Sequence, residues 1–175
     1  MRRLRPLPPL PRDDGFWDAV GPLWRHPAVQ SMARYPQHGE ASCLSHCLAV
    51  AYLSYRCCLR RGLDARAAAR GGLLHDLFLY DWHTYRPARG EGLHGFTHPR
   101  RALENARRYF ALTPVEEDVI LRHMWPLTPR LPATAEGRVV TMVDKYVSLL
   151  ETFRRPASLE PGALLLRWGV LLAGK

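Results

Sequence analysis

A chain of 175 residues is long enough for one domain with a substantial core, and 47% hydrophobic against 23% charged residues is ordinary for a globular fold. No apolar run reaches the roughly 18 residues that a membrane span needs, so no membrane partner is expected. The net charge of +9 comes almost wholly from arginine, Lys145 and Lys175 being the only lysines. The arginines are scattered, which fits a codon bias, or attraction of an anionic ligand, better than a nucleic-acid interface. No helix-turn-helix or aromatic platform is visible either.

Residues 1–12 are basic and Pro-rich and read as an extended segment ahead of a single domain over 13–175. The start lacks the apolar stretch of a secretory signal, so a cytoplasmic location is expected. "DDGFWDAV" and "PAVQSMARY" read as short helices within 13–35. "QHGEAS" is a loop whose Ser42 is placed to cap a helix over 42–61, ended by Gly62. All four cysteines, Cys43, Cys47, Cys57 and Cys58, fall on that helix. No second pair completes a zinc spacing, so buried free thiols are expected.

A helix is expected over 64–79, where Gly71 and Gly72 weaken it in isolation but allow close packing. Residues 80–96, rich in Gly, His and aromatics, read as a loop. Thr97 then reads as a cap, with Pro99 in the first turn of a helix through residue 112. "TPVEEDVILRHMW" adds Glu116 three residues after Thr113, a capping box. After the loop "LTPRLP", a helix is expected over 133–153 and an apolar one over 162–174, which would pack on the core or pair with a second copy as a homodimer. No segment alternates like a strand, so the expected fold is all-α with seven to eight helices.

Several of these helices carry a polar group on their apolar face. Residues three and four apart share a face. His46 thus sits with Val50, Leu53 and Cys57, His123 with Val119 and Ile120, Asp144 with Val140 and Val147, and His98 with Ala102 and Asn105. The pair His75–Asp76 interrupts the apolar run "GGLLHDLF" on another helix. A buried charge is costly unless something compensates it. Any one such histidine is ordinarily just hydrogen-bonded in the core. Five helices each turning a metal-capable group inward point instead to a shared cation, and imidazole with carboxylate suits Fe, Mn or Zn better than Mg or Ca alone.

The order His46, His75–Asp76, His98, His123, Asp144, with "SHCLAVA" upstream and "VVTMVDKY" downstream of the dyad, resembles the HD-domain superfamily of metal-dependent phosphohydrolases over about residues 38–150. The resemblance implies a single HD-type helical bundle. Many such proteins hold one ion with the first His, the dyad and the last Asp. The added His98 and His123 resemble the subgroup with two ions, often iron or manganese, with zinc, nickel, cobalt or magnesium as alternatives. It implies that His46, His75, Asp76 and Asp144 hold the first ion and that Asp76, His98 and His123 hold the second. The GYP motif of the cyclic-dinucleotide phosphodiesterases is absent.

The implied activity is hydrolysis of a phosphate ester, a nucleotide or related small phosphorylated molecule, through a metal-bridging hydroxide. His75, Asp76 and Lys145 are the catalytic candidates. His38, Asp81, His83, Arg100 and Arg101 are the candidates for binding substrate, which would enter between the 80–96 and 124–133 loops. His94 is expected in the loop, as a weaker ligand. Two alternatives share the ligand order: an HD-fold di-iron oxygenase, and a non-catalytic module that binds metal or nucleotide.

Overall fold

The computed structural model describes Leu4, Leu7, residues 10–90 and residues 92–153. The apolar segment expected to be helical over 162–174 lies outside the described residues. Within them the fold is all-α: α1 (Asp14–Trp24), α2 (Pro27–Ser31), a 3-10 turn Met32–Arg34, α3 (Cys43–Arg60), α4 (Ala65–Leu74), α5 (His94–Tyr109), α6 (Pro114–Arg122) and α7 (Ala135–Thr152). None of these helices is long and apolar enough to cross a membrane.

Most helix starts follow from side-chain caps. Asp13, Ser42, Asp64 and Thr134 each accept a hydrogen bond from a backbone N–H of the first turn. Thr113 and Glu116 form the expected capping box on α6.

α3 is the central element. All but three of its 18 residues are buried, and it packs chiefly on α4 and α7. The α3–α4 approach is as close as the glycine pair suggests. A Cβ built on Gly72 would lie 3.0 Å from the Cα of Ala51, and one on Gly71 would lie 2.8 Å from the Cβ of Val119 on α6. All four cysteines are buried and free, and burial pushes the Cys58 thiol up to about 12.

Two helix boundaries differ from expectation. α4 stops at Leu74 rather than 79, so the dyad leaves the helix instead of riding on it. Beyond that point other groups take the carbonyls: His75 Nδ1 bonds Gly72 O at 2.7 Å, and Asn105 Nδ2 donates to Leu77 O at 2.8 Å. Leu79, at φ 63°, then turns the chain away. α5 begins at His94, three residues before Thr97, and its N-cap Leu93 has no side-chain bond. Thr97 is not a cap: its hydroxyl donates back to Leu93 O at 3.2 Å. His94 therefore belongs to the helix and stacks on His98, with ring centroids 4.5 Å apart.

The segment between the 3-10 turn and α3 is clipped. Pro36 and Ser42 form an antiparallel bridge, and Cys43 N donates to Tyr35 O at 2.8 Å. Gly39 at the tip, φ +60°, approaches α7 so closely that a Cβ would lie 2.8 Å from Glu151 O. This holds Gln37 and His38 over one end of the α3–α7 packing.

Candidate metal centre

Six polar side chains from five segments meet inside the bundle: His46 on α3, His75 and Asp76 after α4, His98 on α5, His123 at the end of α6 and Asp144 on α7. All six are buried. His46 Nε2 lies 3.1 Å from Asp144 Oδ1, and His75 Nε2 lies 3.6 Å from that same oxygen and 3.4 Å from Asp76 Oδ2. On the other side of Asp76, Oδ1 is 3.2 Å from His98 Nε2 and 3.5 Å from His123 Nε2, and those two nitrogens are 2.9 Å apart.

Each imidazole is tied down through Nδ1, so that Nε2 faces the centre. His75 bonds Gly72 O at 2.7 Å, His123 bonds Ile120 O at 2.8 Å and His98 bonds His94 O at 2.9 Å. Only the ring can donate to a carbonyl, so the proton is on Nδ1 and the lone pair on Nε2 in each neutral ring. His46 Nδ1 instead meets Glu151 Oε2 at 2.9 Å. Outer partners of this kind are what orients metal-binding histidines.

The electrostatics match a site built around positive charge. Burial would lower His46, but the Glu151 and Asp144 carboxylates hold it well above the usual imidazole value. Burial is likewise outweighed at His75 by Asp76. Burial would raise Asp76 and Asp144, yet His75 and His98 hold the first, and His46, His75 and Lys145 the second, well below the carboxylate range. His123, desolvated and beside His75 and His98, is pushed down to about 3 and stays neutral.

Two observations show that these residues suit a cation. His75 Nε2 and Asp76 Oδ1 are buried and have no hydrogen-bond partner among the described residues, although nitrogen or oxygen atoms surround them. Such orphaned groups are expensive unless a ligand uses their lone pairs. Second, single donor atoms of His46, His75 and Asp76, and of Asp76, His98 and His123, converge within 4.8 Å of one another. The two sets share Asp76, and Asp144 Oδ1 adjoins the first. Cys43, Cys47 and Asp76 form a third convergent set. Burial raises both thiols, however, keeping them protonated and poor ligands.

The other candidate residues divide. Lys145 stands beside the centre: its Nζ is 2.8 Å from Asp144 Oδ2 and donates to His123 O at 3.2 Å. His38 and Lys145 line a cavity of about 550 Å³ over the centre, with Trp82, Tyr85 and Met124 from the two loops expected to flank the entrance. Asp81 and His83 do not line it: Asp81 caps its own turn at His83 N (2.9 Å), and His83 Nδ1 lies 3.3 Å from its carboxylate. Arg100 is exposed and faces a separate groove with Phe96 and Leu103, because it lies on the opposite side of α5 from His98. Arg101 lies against Tyr85 and Tyr80, its guanidinium 4.8 and 5.2 Å from their ring centroids.

Two residues of the centre were missed by sequence reasoning. Glu151 lies two turns beyond Asp144 on the same face of α7, a spacing that marks it as a candidate partner. Gln37, buried, donates its amide N–H to Asp76 Oδ2, leaving its own Oε1 buried without a partner among the described residues. Its "QHG" context was visible, but only His38 stands out as chemically reactive.

A family model for the HD domain matches residues 43–148, which span every one of the six converging side chains. No curated protein and no solved structure matches the chain.

Proposed function

Since the chain belongs to the HD-domain family, a superfamily of metal-dependent phosphohydrolases, we propose that it hydrolyses the phosphate ester of a small molecule, a nucleotide or related compound, with two divalent cations at this centre. His46, His75, Asp76 and Asp144 would hold the first ion, and Asp76, His98 and His123 the second. Iron or manganese suits this mixed set of imidazole and carboxylate. Bound there, the cations would supply an acidified water and positive charge for the phosphoryl oxygens.

The chain's own groups do the rest. The Nδ1 anchors hold each ring's Nε2 inward before any ligand arrives, so little reorganisation is needed. Lys145, braced by Asp144 and the His123 carbonyl at the cavity wall, is the cation placed to orient a phosphate. Burial lowers the His38 pKa, which keeps the ring neutral at the rim.

The observation that carries this reading is the position of Asp76, one carboxylate whose two oxygens face two different histidine sets. The test is metal analysis of anaerobically purified protein, followed by phosphate release from a panel of phosphate esters, with Asp76→Ala as the control. Metal-dependent release that Asp76→Ala abolishes is the expected result. Oxygen uptake without phosphate release would overturn it in favour of oxidative chemistry, and metal content unchanged in Asp76→Ala would remove the site.

A further inference from the structure

The cavity over the centre has two unlike sides. Its floor carries the converging donors, Gln37 and Lys145. Its wall is Trp82, Tyr85, Pro87, Leu93 and Met124. A volume of about 550 Å³ is far more than an orthophosphate needs, and within the roughly 300–1,000 Å³ of small-molecule pockets.

The wall is apolar, and its two aromatic residues are held by ring contacts. Trp82 is fixed by ring contacts with His83 (3.9 Å) and His94 (5.2 Å, 8° between planes), and its indole N–H is buried without a partner among the described residues. Tyr85 packs on Tyr80 at 4.5 Å and accepts a hydrogen bond from Arg101 at 2.7 Å.

Positive charge on the side chains is sparse. Among the described residues Lys145 is the one Lys or Arg that lines the cavity, and its ammonium is already engaged by Asp144 and the His123 carbonyl. Arg101 is held against the tyrosines, and Arg100 faces another groove. Each further phosphate of a di- or triphosphate would need its own cation or cluster of donors, and the five wall residues carry no charge.

We propose that the cavity selects a phosphate monoester with an aromatic body: one phosphoryl group on the polar floor, the body against Trp82 and Tyr85, and no room electrostatically for a polyphosphate. This rests on the hydrolase reading and names its substrate class. In the reaction the oxygen of water bonds to phosphorus and the P–O bond to the body breaks. The leaving oxygen gains a proton, giving inorganic phosphate and a phenol or alcohol.

The test pairs turnover with binding on the full-length, metal-loaded protein. Turnover compares 1-naphthylmethyl phosphate with glycerol 3-phosphate, both with alkyl alcohol leaving groups, and a purine nucleoside monophosphate with its triphosphate. The expected kcat/KM is at least about tenfold higher for the naphthyl ester, the scale set by burying one aromatic ring, and higher for the monophosphate than for the triphosphate. Binding compares benzylphosphonate, methylphosphonate and pyrophosphate by calorimetry, with benzylphosphonate expected to bind tightest. Tyr85→Ala should shrink the naphthyl-to-glycerol ratio several-fold. Equal or better turnover of the triphosphate or of glycerol 3-phosphate, or tightest binding of pyrophosphate, overturns the proposal. If no ester is hydrolysed but benzylphosphonate still binds tightest, the hydrolase reading fails and the ligand class stands.

Discussion

His46 and Asp144 arrive on α3 and α7, and His75 just past the end of α4; these helices are pressed together without clearance, and two of the three residues are braced from outside. Glu151 holds His46, and Lys145 holds Asp144. His98 comes from α5, which leans mainly on α6, whereas His123 comes from α6, which also packs on α4 and α7; the Nδ1 of each ring is held by a carbonyl of its own helix. Both rings also line the cavity floor. The difference teaches that the first set of donors is fixed by the core, while the second depends in part, through His98, on where the first turn of α5 settles. Asp76 joins the two, and Gln37 fixes Asp76.

The sharpest way to break this comparison is to delete one ligand from each half. His75→Ala should leave no tightly bound cation, whereas His123→Ala should keep one, as read by elemental analysis after desalting. Phosphate release should fall on the order of 10³-fold or more in both, because several kcal/mol of charge stabilisation are lost. Equal metal loss in the two variants would erase the distinction between the halves.

The packing difference is tested at glycines. Gly72→Ala drives a methyl group against the backbone of Ala51 on α3, 3.0 Å from its Cα, which cannot swing aside, and should cost about 1–3 kcal/mol in denaturant unfolding. A smaller effect is expected of Gln37→Met, which keeps the volume but removes the amide donor to Asp76. Metal affinity should weaken roughly tenfold with little change in Tm. Unaltered affinity would mean that Asp76 needs no such brace.

Least affected should be Gly95→Ala, in the first turn of α5. Its Cβ would meet only the δ-methyl of Leu127, an exposed side chain free to move. The helix gain from Ala, up to about 1 kcal/mol, should cancel that displacement. A Gly95→Ala loss as large as that of Gly72→Ala would show that the first turn of α5 is packed as tightly as the α3–α4 contact.

Much of the centre was legible before folding because helical period is a strong constraint. A histidine or aspartate three or four residues from apolar neighbours must share their burial, which placed His46, His98, His123 and Asp144 inward. The caps at Ser42 and Thr113 were legible for the same local reason, since a side-chain oxygen meets a backbone N–H only three residues away. The start of α5 was not, because Leu93 caps nothing, and what holds that turn is the stacking of His94 on His98 and its bond to Tyr80. The arginines misled: Arg101 is on the right side of α5 for a phosphate, but two tyrosines from a loop claim it.

The sequence by itself determined the all-α class and which side chains the helices turn inward, since both follow from spacing along one chain. Only the tertiary structure decided that Asp76 stands between two histidine sets, that Gln37 and Glu151 brace them, and that Arg100, Asp81 and His83 face elsewhere. Those facts depend on contacts between residues as far apart as His46 and Glu151, 105 positions in the chain, and no local periodicity encodes such a meeting.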